Sequence, residues 1–277
     1  LKPPRTLGIQ LSVETDIAEI QAVGPPWIKA RDLKEIAMIT VRKSTERALT
    51  QIGWLDGRHT FSFGRSLLRD TVPFHDGFRS LLVVNDDRVK PGMGFSEHPH
   101  SDMEIITYVL DGQLAHKDST GNARSLQPGW IQRMSAGSGI RHSEFNPSRT
   151  DPLRLLQIWI APEREGIAPS YEDRAFKDAD LRDRLALLAG HEGSGAPTLI
   201  HQDALFFASR LSPRASVRHA LREGRHAFIH LAKGSVTLNG QRLDEGDGAF
   251  ISEERDLEIV ATDELGSGAE LILIEMA

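Results

Sequence analysis

The chain has 277 residues, enough for one large domain or two ordinary ones. Hydrophobic residues make up 39% and charged residues 26%, the balance of a soluble globular protein, and a formal net charge of −6 argues against direct nucleic-acid binding. Cysteine is absent, which excludes disulfides, thiolate nucleophiles and cysteine metal sites, so any metal must use nitrogen and oxygen ligands.

No apolar run reaches the ~18 residues of a transmembrane helix, so no membrane association is expected. The N-terminus lacks a short apolar core followed by small residues, so no secretory signal is expected. A reducing cytoplasm is the expected location. Residues 1–37 carry the pairs Pro3–Pro4 and Pro25–Pro26, which oppose a continuous helix or central strand. They read as an extension outside the folded body, and not necessarily a native one.

Met38 opens "MITVRKSTERA", an alternating strand pattern. From there to residue 165 the chain reads as many short strands. "FRSLLVVNDDRVKPGMGF" is an apolar strand followed by Asn-Asp and Pro-Gly turns, and residues 104–131 add Asp-Gly, Gly-Asn and Pro-Gly punctuation. "LRLLQIWIAP" (153–162) is a further buried strand ended by Pro162. Helical spacing appears once, in "KDADLRDRLALLAG" (177–190), with Asp178 or Asp180 able to cap its start and Gly190 its end. After the glycine-rich "GHEGSGAP", the strand logic returns in "ALFFASRL", "AFIHLAKGSVTLNGQRLDEGDGAFI" and "AELILIEM". Both halves run strand, glycine turn, strand, turn, glycine corner, apolar strand. The pattern is an internal duplication with a period of roughly 110–130 residues. An all-β protein is therefore expected, with two tandem barrels over 38–165 and 166–277 and one short helix in the second half.

Polar residues concentrate in "GFSEHPHSDMEIITYVLDGQLAHKDSTGN" (94–122). His98 and His100 are two apart, so a strand puts them on one face; the same holds for His142 and Glu144 in "GIRHSEFN". Antiparallel strands can bring the two pairs together inside one barrel. Three imidazoles and one carboxylate suit Fe(II), Mn(II), Ni(II), Cu(II) or Zn(II). Glu104 has the same strand parity as His98 and His100 and competes with Glu144 for the carboxylate position; parity does not choose between them. His116 and Asp118 precede a turn and are expected to stabilise it. His59 and His75 are read as structural, and Trp130 and Trp159 as core. In the second half His226 and His230 share a strand face, but no His-x-Glu pair follows. That half is expected to keep the fold without the site.

These residues resemble the cupin superfamily and, within it, the pirin family. Gly92, His98, His100, Glu104 and Gly112 follow the first cupin motif with one extra residue before Gly112. Gly129, Gly137, His142 and Asn146 follow the second, with Ser135 in place of proline. "MSAGSGIRHSEFN", "HPHSDMEIITYVLDG", "HKDSTGN" and "LLQIWIAP" are similar to pirin segments. The resemblance implies a bicupin of jelly-roll-like barrels whose N-terminal barrel binds one divalent metal through His98, His100, His142 and Glu144. It thereby favours Glu144 over Glu104, which becomes a pocket residue able to orient a ligand histidine. Fe(II) is the metal implied, with Mn, Ni, Cu, Zn or Co as substitutes. The activity implied is quercetin 2,3-dioxygenase chemistry, in which a flavonol's heterocyclic ring is opened with O2, Glu144 accepting the substrate proton. The alternatives are an iron-binding, redox-sensing regulator acting through a protein partner, or a cupin of another reaction such as an isomerase.

Overall fold

The computed structural model describes residues 39–61, 74, 76–262, 266 and 268–277. The N-terminal extension and His75 lie outside these residues. Strand β1 (Ile39–Arg42) is followed by a 3-10 turn (Ser44–Glu46) and by β2 (Ala48–Ile52), β3 (Leu55–His59), β4 (Leu81–Val89) and β5 (Gly94–His100). Then come β6 (Glu104–Asp111), β7 (Leu114–Asp118), β8 (Ala123–Leu126), β9 (Trp130–Ser135), β10 (Ile140–Phe145), β11 (Leu153–Ile160) and β12 (Ser170–Ala175). A helical turn α1 (Asp178–Leu181) leads to β13 (Ala186–Gly190), β14 (Ala204–Leu211), β15 (Ser216–Ala220) and β16 (His226–Lys233). The chain ends through β17 (Ser235–Leu238), β18 (Gln241–Asp244), β19 (Gly248–Ile251), β20 (Asp256–Ala261) and β21 (Ala269–Met276). No helix among the described residues is long and apolar enough to cross a membrane.

The strands form two sandwiches. In the first, the seven-stranded sheet β12-β9-β6-β11-β4-β3-β2 faces the four-stranded sheet β5-β10-β7-β8. In the second, the six-stranded sheet β1-β19-β16-β21-β14-β13 faces β15-β20-β17-β18. The duplication is visible strand by strand: β6 begins at Glu104 and its counterpart β16 at His226, while β11 begins at Leu153 and β21 at Ala269.

Layering explains the sequence patterns. The two large sheets pack on each other through a cluster that includes Ile106, Tyr108, Leu156 and Ile158 from one side and Phe206, Phe228, Ile272 and Ile274 from the other. Their central strands are buried on both faces and so read as continuous apolar runs, as in β6 and β21. The small sheets expose one face, and β10 and β20 alternate buried with exposed residues. A polar tie crosses between the barrels. Arg154 donates from Nε and Nη2 to the two Asp86 carboxylate oxygens at 2.9 and 2.7 Å, and from Nη2 to the Ala232 carbonyl at 2.7 Å.

One expectation needs correction. The helix expected over 177–190 is confined to Asp178–Leu181, because Ala186–Gly190 pairs antiparallel with β14. A five-residue apolar segment carries no period long enough to separate helix from strand, and pairing decides. Each sandwich also borrows one edge strand from the other half of the chain: β1 pairs with β19 of the second sandwich, and β12 pairs with β9 of the first.

Candidate metal centre

The inward face of β10 carries Ile140, His142 and Glu144, all buried. Strand β5 lies on one side of it and β7 on the other. His142 is the register partner of His98 on β5 and of Asp118 on β7, and Glu144 faces His116 across the β7 ladder. A bulge between His142 and Glu144 shifts the β5 register by one residue. Close approach at this bulge demands glycine: a Cβ on Gly94 would lie 2.2 Å from the Glu144 carbonyl oxygen.

The three imidazoles meet. Ring centroids are 4.5 Å apart for His98 and His142, 4.8 Å for His98 and His100, and 4.9 Å for His100 and His142. One ring nitrogen from each lies within 4.8 Å of the others, a spacing one ion can bridge; His116, His142 and Glu144 meet the same criterion. Burial, reinforced by neighbouring imidazoles, pushes His100 down to about 2 and His142 well below its ordinary value. Both rings are therefore neutral at physiological pH, the form that offers a lone pair. His98 Nδ1 lies 2.8 Å from the Ser96 carbonyl oxygen, which can only accept, so the proton sits on Nδ1 and Nε2 is left as the donor atom.

Glu144 is held from the opposite sheet. Gln132 Nε2 donates to Oε1 at 2.6 Å, Thr107 Oγ1 is 3.2 Å from Oε1, and Gln157 Nε2 donates to Oε2 at 2.7 Å. Tyr171 donates in turn to Gln132 Oε1 at 3.2 Å. These partners are uncharged donors, two amides and a hydroxyl, and none of them pairs Glu144 with a cationic side chain.

A cation fits this arrangement. Both ring nitrogens of His142, a residue 1% exposed, lack a hydrogen-bond partner among the described residues. Burying such atoms unpaired costs about 1–3 kcal/mol each. A metal at one nitrogen, balanced by the Glu144 charge, gives the ring a bonding role. The donor set of imidazole nitrogen and carboxylate oxygen suits a divalent transition metal.

Other candidates fall elsewhere. Glu104 lies on the face of β6 opposite Thr107; it accepts from Ser135 Oγ at 2.9 Å and pairs with His201 Nδ1 at 3.3 Å. Among the described hydrogen bonds none joins it to His98, His100 or His142. Strand parity does not carry from His98 and His100 to Glu104, because β5 and β6 belong to different sheets and residues 101–103 separate them. Asp118 does hold its turn, accepting from Thr120 N at 2.9 Å and Oγ1 at 2.7 Å. His116 has a larger part than expected: it bonds Asp118 at 3.1 Å, stacks on Tyr171 at 4.6 Å and borders His142 at 5.4 Å. His59 bonds Asn85 and Thr50, as a structural histidine does. Trp130 packs at one end of the barrel core, and Trp159 meets His100 edge-on at 5.0 Å. The sequence marks Thr107, Gln132 and Gln157 only as polar residues at inward positions of largely buried strands, and Tyr171, on the polar strand β12, not at all.

Among the described residues the second barrel has no equivalent. Ala227, Ile229 and Leu231 of β16 point into its apolar core, together with Leu257, Ile259 and Ala261 of β20. His226 and His230 take the opposite face, where His230 lies 3.6 Å from Asp86. The metal-competent clusters among the described residues are confined to the first barrel.

Comparison with known proteins agrees with this architecture. A pirin family model matches residues 42–160, and a model for the quercetinase C-terminal cupin domain matches residues 187–276. Over 239 residues the chain is 41% identical to an Escherichia coli K12 protein named quercetin 2,3-dioxygenase, covering 86% of this chain and 99% of that one. A Zymomonas mobilis protein named putative quercetin 2,3-dioxygenase is 36% identical over 238 residues, covering 86% and 97%. The crystal structure of the bacterial pirin YhhW from Escherichia coli in complex with nickel(II) superposes with a TM-score of 0.76 at 40% identity, covering 86% and 98%. Fold and comparisons together define a bicupin. The chain belongs to the pirin family.

Proposed function

We propose that His98, His100, His142 and Glu144 hold one divalent metal, Fe(II) in the working enzyme, and that the protein is a dioxygenase opening the heterocyclic ring of a flavonol. The observation that carries this reading is the pair of clusters inside the first barrel, His98 with His100 and His142 and His116 with His142 and Glu144, which share the buried His142. The relatives named quercetin 2,3-dioxygenase and the nickel complex of a pirin support it.

When bound, the metal supplies Lewis acidity toward a substrate hydroxyl and a site for O2 chemistry. The chain's residues do the rest. Trp159, Met103 and Tyr171, partly buried against Ile105, Met134 and Ile140, offer apolar walls to a flat ring system and exclude water. Glu144 Oε2 carries a single described hydrogen bond, from Gln157, so a lone pair stays available to accept the substrate's hydroxyl proton. In the overall reaction two carbon–carbon bonds of the heterocycle break, both atoms of O2 enter the ester product and one carbon leaves as carbon monoxide. No external reductant is needed.

The test is anaerobic reconstitution with Fe(II), followed by metal analysis, oxygen uptake and carbon monoxide release with quercetin. About one iron per chain, and turnover abolished in His142→Ala, is the expected result. Stoichiometric iron with neither oxygen uptake nor carbon monoxide would reject the dioxygenase.

A further inference from the structure

Four side chains around Glu144 form a hydrogen-bond network whose direction can be worked out proton by proton. A carboxylate only accepts. The Nε2 groups of both Gln132 and Gln157 must therefore face Glu144, which fixes the two amide orientations. Gln132 spends its second amide hydrogen on Thr107 Oγ1 at 3.0 Å. With that oxygen accepting, the single Thr107 hydroxyl hydrogen goes to Gln157 Oε1 at 2.9 Å or to Glu144. Tyr171 completes the arrangement by donating to the Gln132 oxygen. Thr107, Gln132 and Gln157 stand on β6, β9 and β11, neighbours in the rigid centre of the large sheet, whereas Glu144 stands on the small sheet opposite. Thr107 is 0% and Gln132 1% exposed, so water does not compete for the bonds these two make with each other and with Glu144 Oε1.

We propose that Gln132 and Gln157 are positioning residues that clamp both oxygens of Glu144 and so fix the orientation in which it meets the metal. The inference rests on the metal-centre reading above. An amide clamp differs from the alternatives by charge. A lysine or arginine in its place would neutralise Glu144 and weaken its attraction for a cation. An apolar residue would leave the carboxylate to choose among rotamers, or to turn toward His116, with which it forms the second metal-competent cluster. Two neutral amides orient the carboxylate at no cost to its charge, and partners of this kind typically contribute about 10–100-fold to metal affinity.

The experiment uses Co(II) as a spectroscopic probe in the full chain, comparing wild type, Glu144→Gln, Gln157→Met and Gln132→Met. Methionine keeps the side-chain length and removes the amide; circular dichroism and thermal melting check that each variant folds. A second, smaller change, Thr107→Val, serves where a methionine variant fails to fold, because it removes the hydroxyl that orders the two amides. We expect folded clamp variants to bind Co(II) about 10–100-fold more weakly than wild type. Their visible Co(II) bands should shift toward those of Glu144→Gln, the signature of a carboxylate no longer held at the metal. A fold defect alone would lower the melting temperature without moving the bands. Folded variants with wild-type affinity and bands would overturn the clamp and leave the metal centre standing. No Co(II) binding by the wild type would overturn the metal centre itself, and the clamp with it.

Discussion

His98 and His142 are register partners on adjacent antiparallel strands, and their ring centroids lie 4.5 Å apart. One strand pairing thus closes a gap of more than forty residues in sequence and converts two His-containing dipeptide spacings into one cluster. Two residues further along β10, past a bulge in β5, Glu144 shares the inward face of His142 and meets two glutamines of the opposite sheet.

Gly94 is the narrowest point of that pairing. Its substitution by alanine would put a Cβ 2.2 Å from the Glu144 carbonyl oxygen and 2.5 Å from the Phe145 Cα, both backbone atoms that cannot move alone. Gly94→Ala is expected to separate β5 from β10, destabilising the chain by at least about 2 kcal/mol and weakening metal binding together with it. Denaturant unfolding and metal titration of the same preparation measure both effects. Unchanged stability would show that the two strands have slack that the geometry denies them.

The inter-barrel tie predicts a different pattern. Arg154 and Asp86 form a buried bidentate pair, so Arg154→Met leaves a carboxylate buried without its main partner. A loss of about 3–5 kcal/mol is expected, with much of it recovered in Asp86→Asn/Arg154→Met. Chemical denaturation of the four members of the cycle provides the check. Additive single losses would mean that the two side chains act independently.

His230 gives the stability a pH dependence. Complete burial, helped by the Arg47 charge, pushes it down to about 4 from an ordinary value of 6.5, against the opposing pull of Asp86. Between these two values the unfolded chain binds a proton that the folded chain refuses, so stability rises with pH there and falls as the solution is acidified from 6.5 toward 4. The full effect is on the order of 3 kcal/mol. Asp86 adds to the loss further down. Burial works to raise its carboxyl, but the hydrogen bonds from Arg154 and the His230 ring 3.6 Å away outweigh that and hold it well below the ordinary 3.8, so its contribution fades as pH falls through and below that value. Unfolding of metal-free His230→Asn between pH 4 and 7 should show a slope reduced by up to one proton relative to wild type. An identical slope would place the titration elsewhere.

The sequence made some of this legible for definite physical reasons. His98 with His100 and His142 with Glu144 stand out because each pair sits within one strand at a period-2 spacing, a local signal. The all-β duplication is likewise local, written in glycine turns and short apolar runs. Long-range relationships left no such trace. Nothing in "ITVR" distinguishes a strand of the first barrel from one that pairs with β19 of the second. Thr107, Gln132 and Gln157 each stand alone in a different apolar strand, and only the register β9-β6-β11 brings them beside Glu144. Leu181, Leu185 and Leu188 imitate helical spacing, yet Asp183 at φ +53° and the pairing of Ala186–Gly190 end the helix after four residues. Glu104 has the histidines' parity in sequence, but the chain changes sheet between β5 and β6, and no local pattern marks that change.

The most direct test of the metal centre is the crystal structure of the nickel-loaded protein, with anomalous data collected at the nickel edge. The account predicts one strong anomalous peak per chain in the first barrel, within bonding distance of His98, His100, His142 and Glu144 and with both glutamine amides still on the carboxylate. A peak on the His116, His142 and Glu144 cluster instead, or no peak in the first barrel, would contradict it.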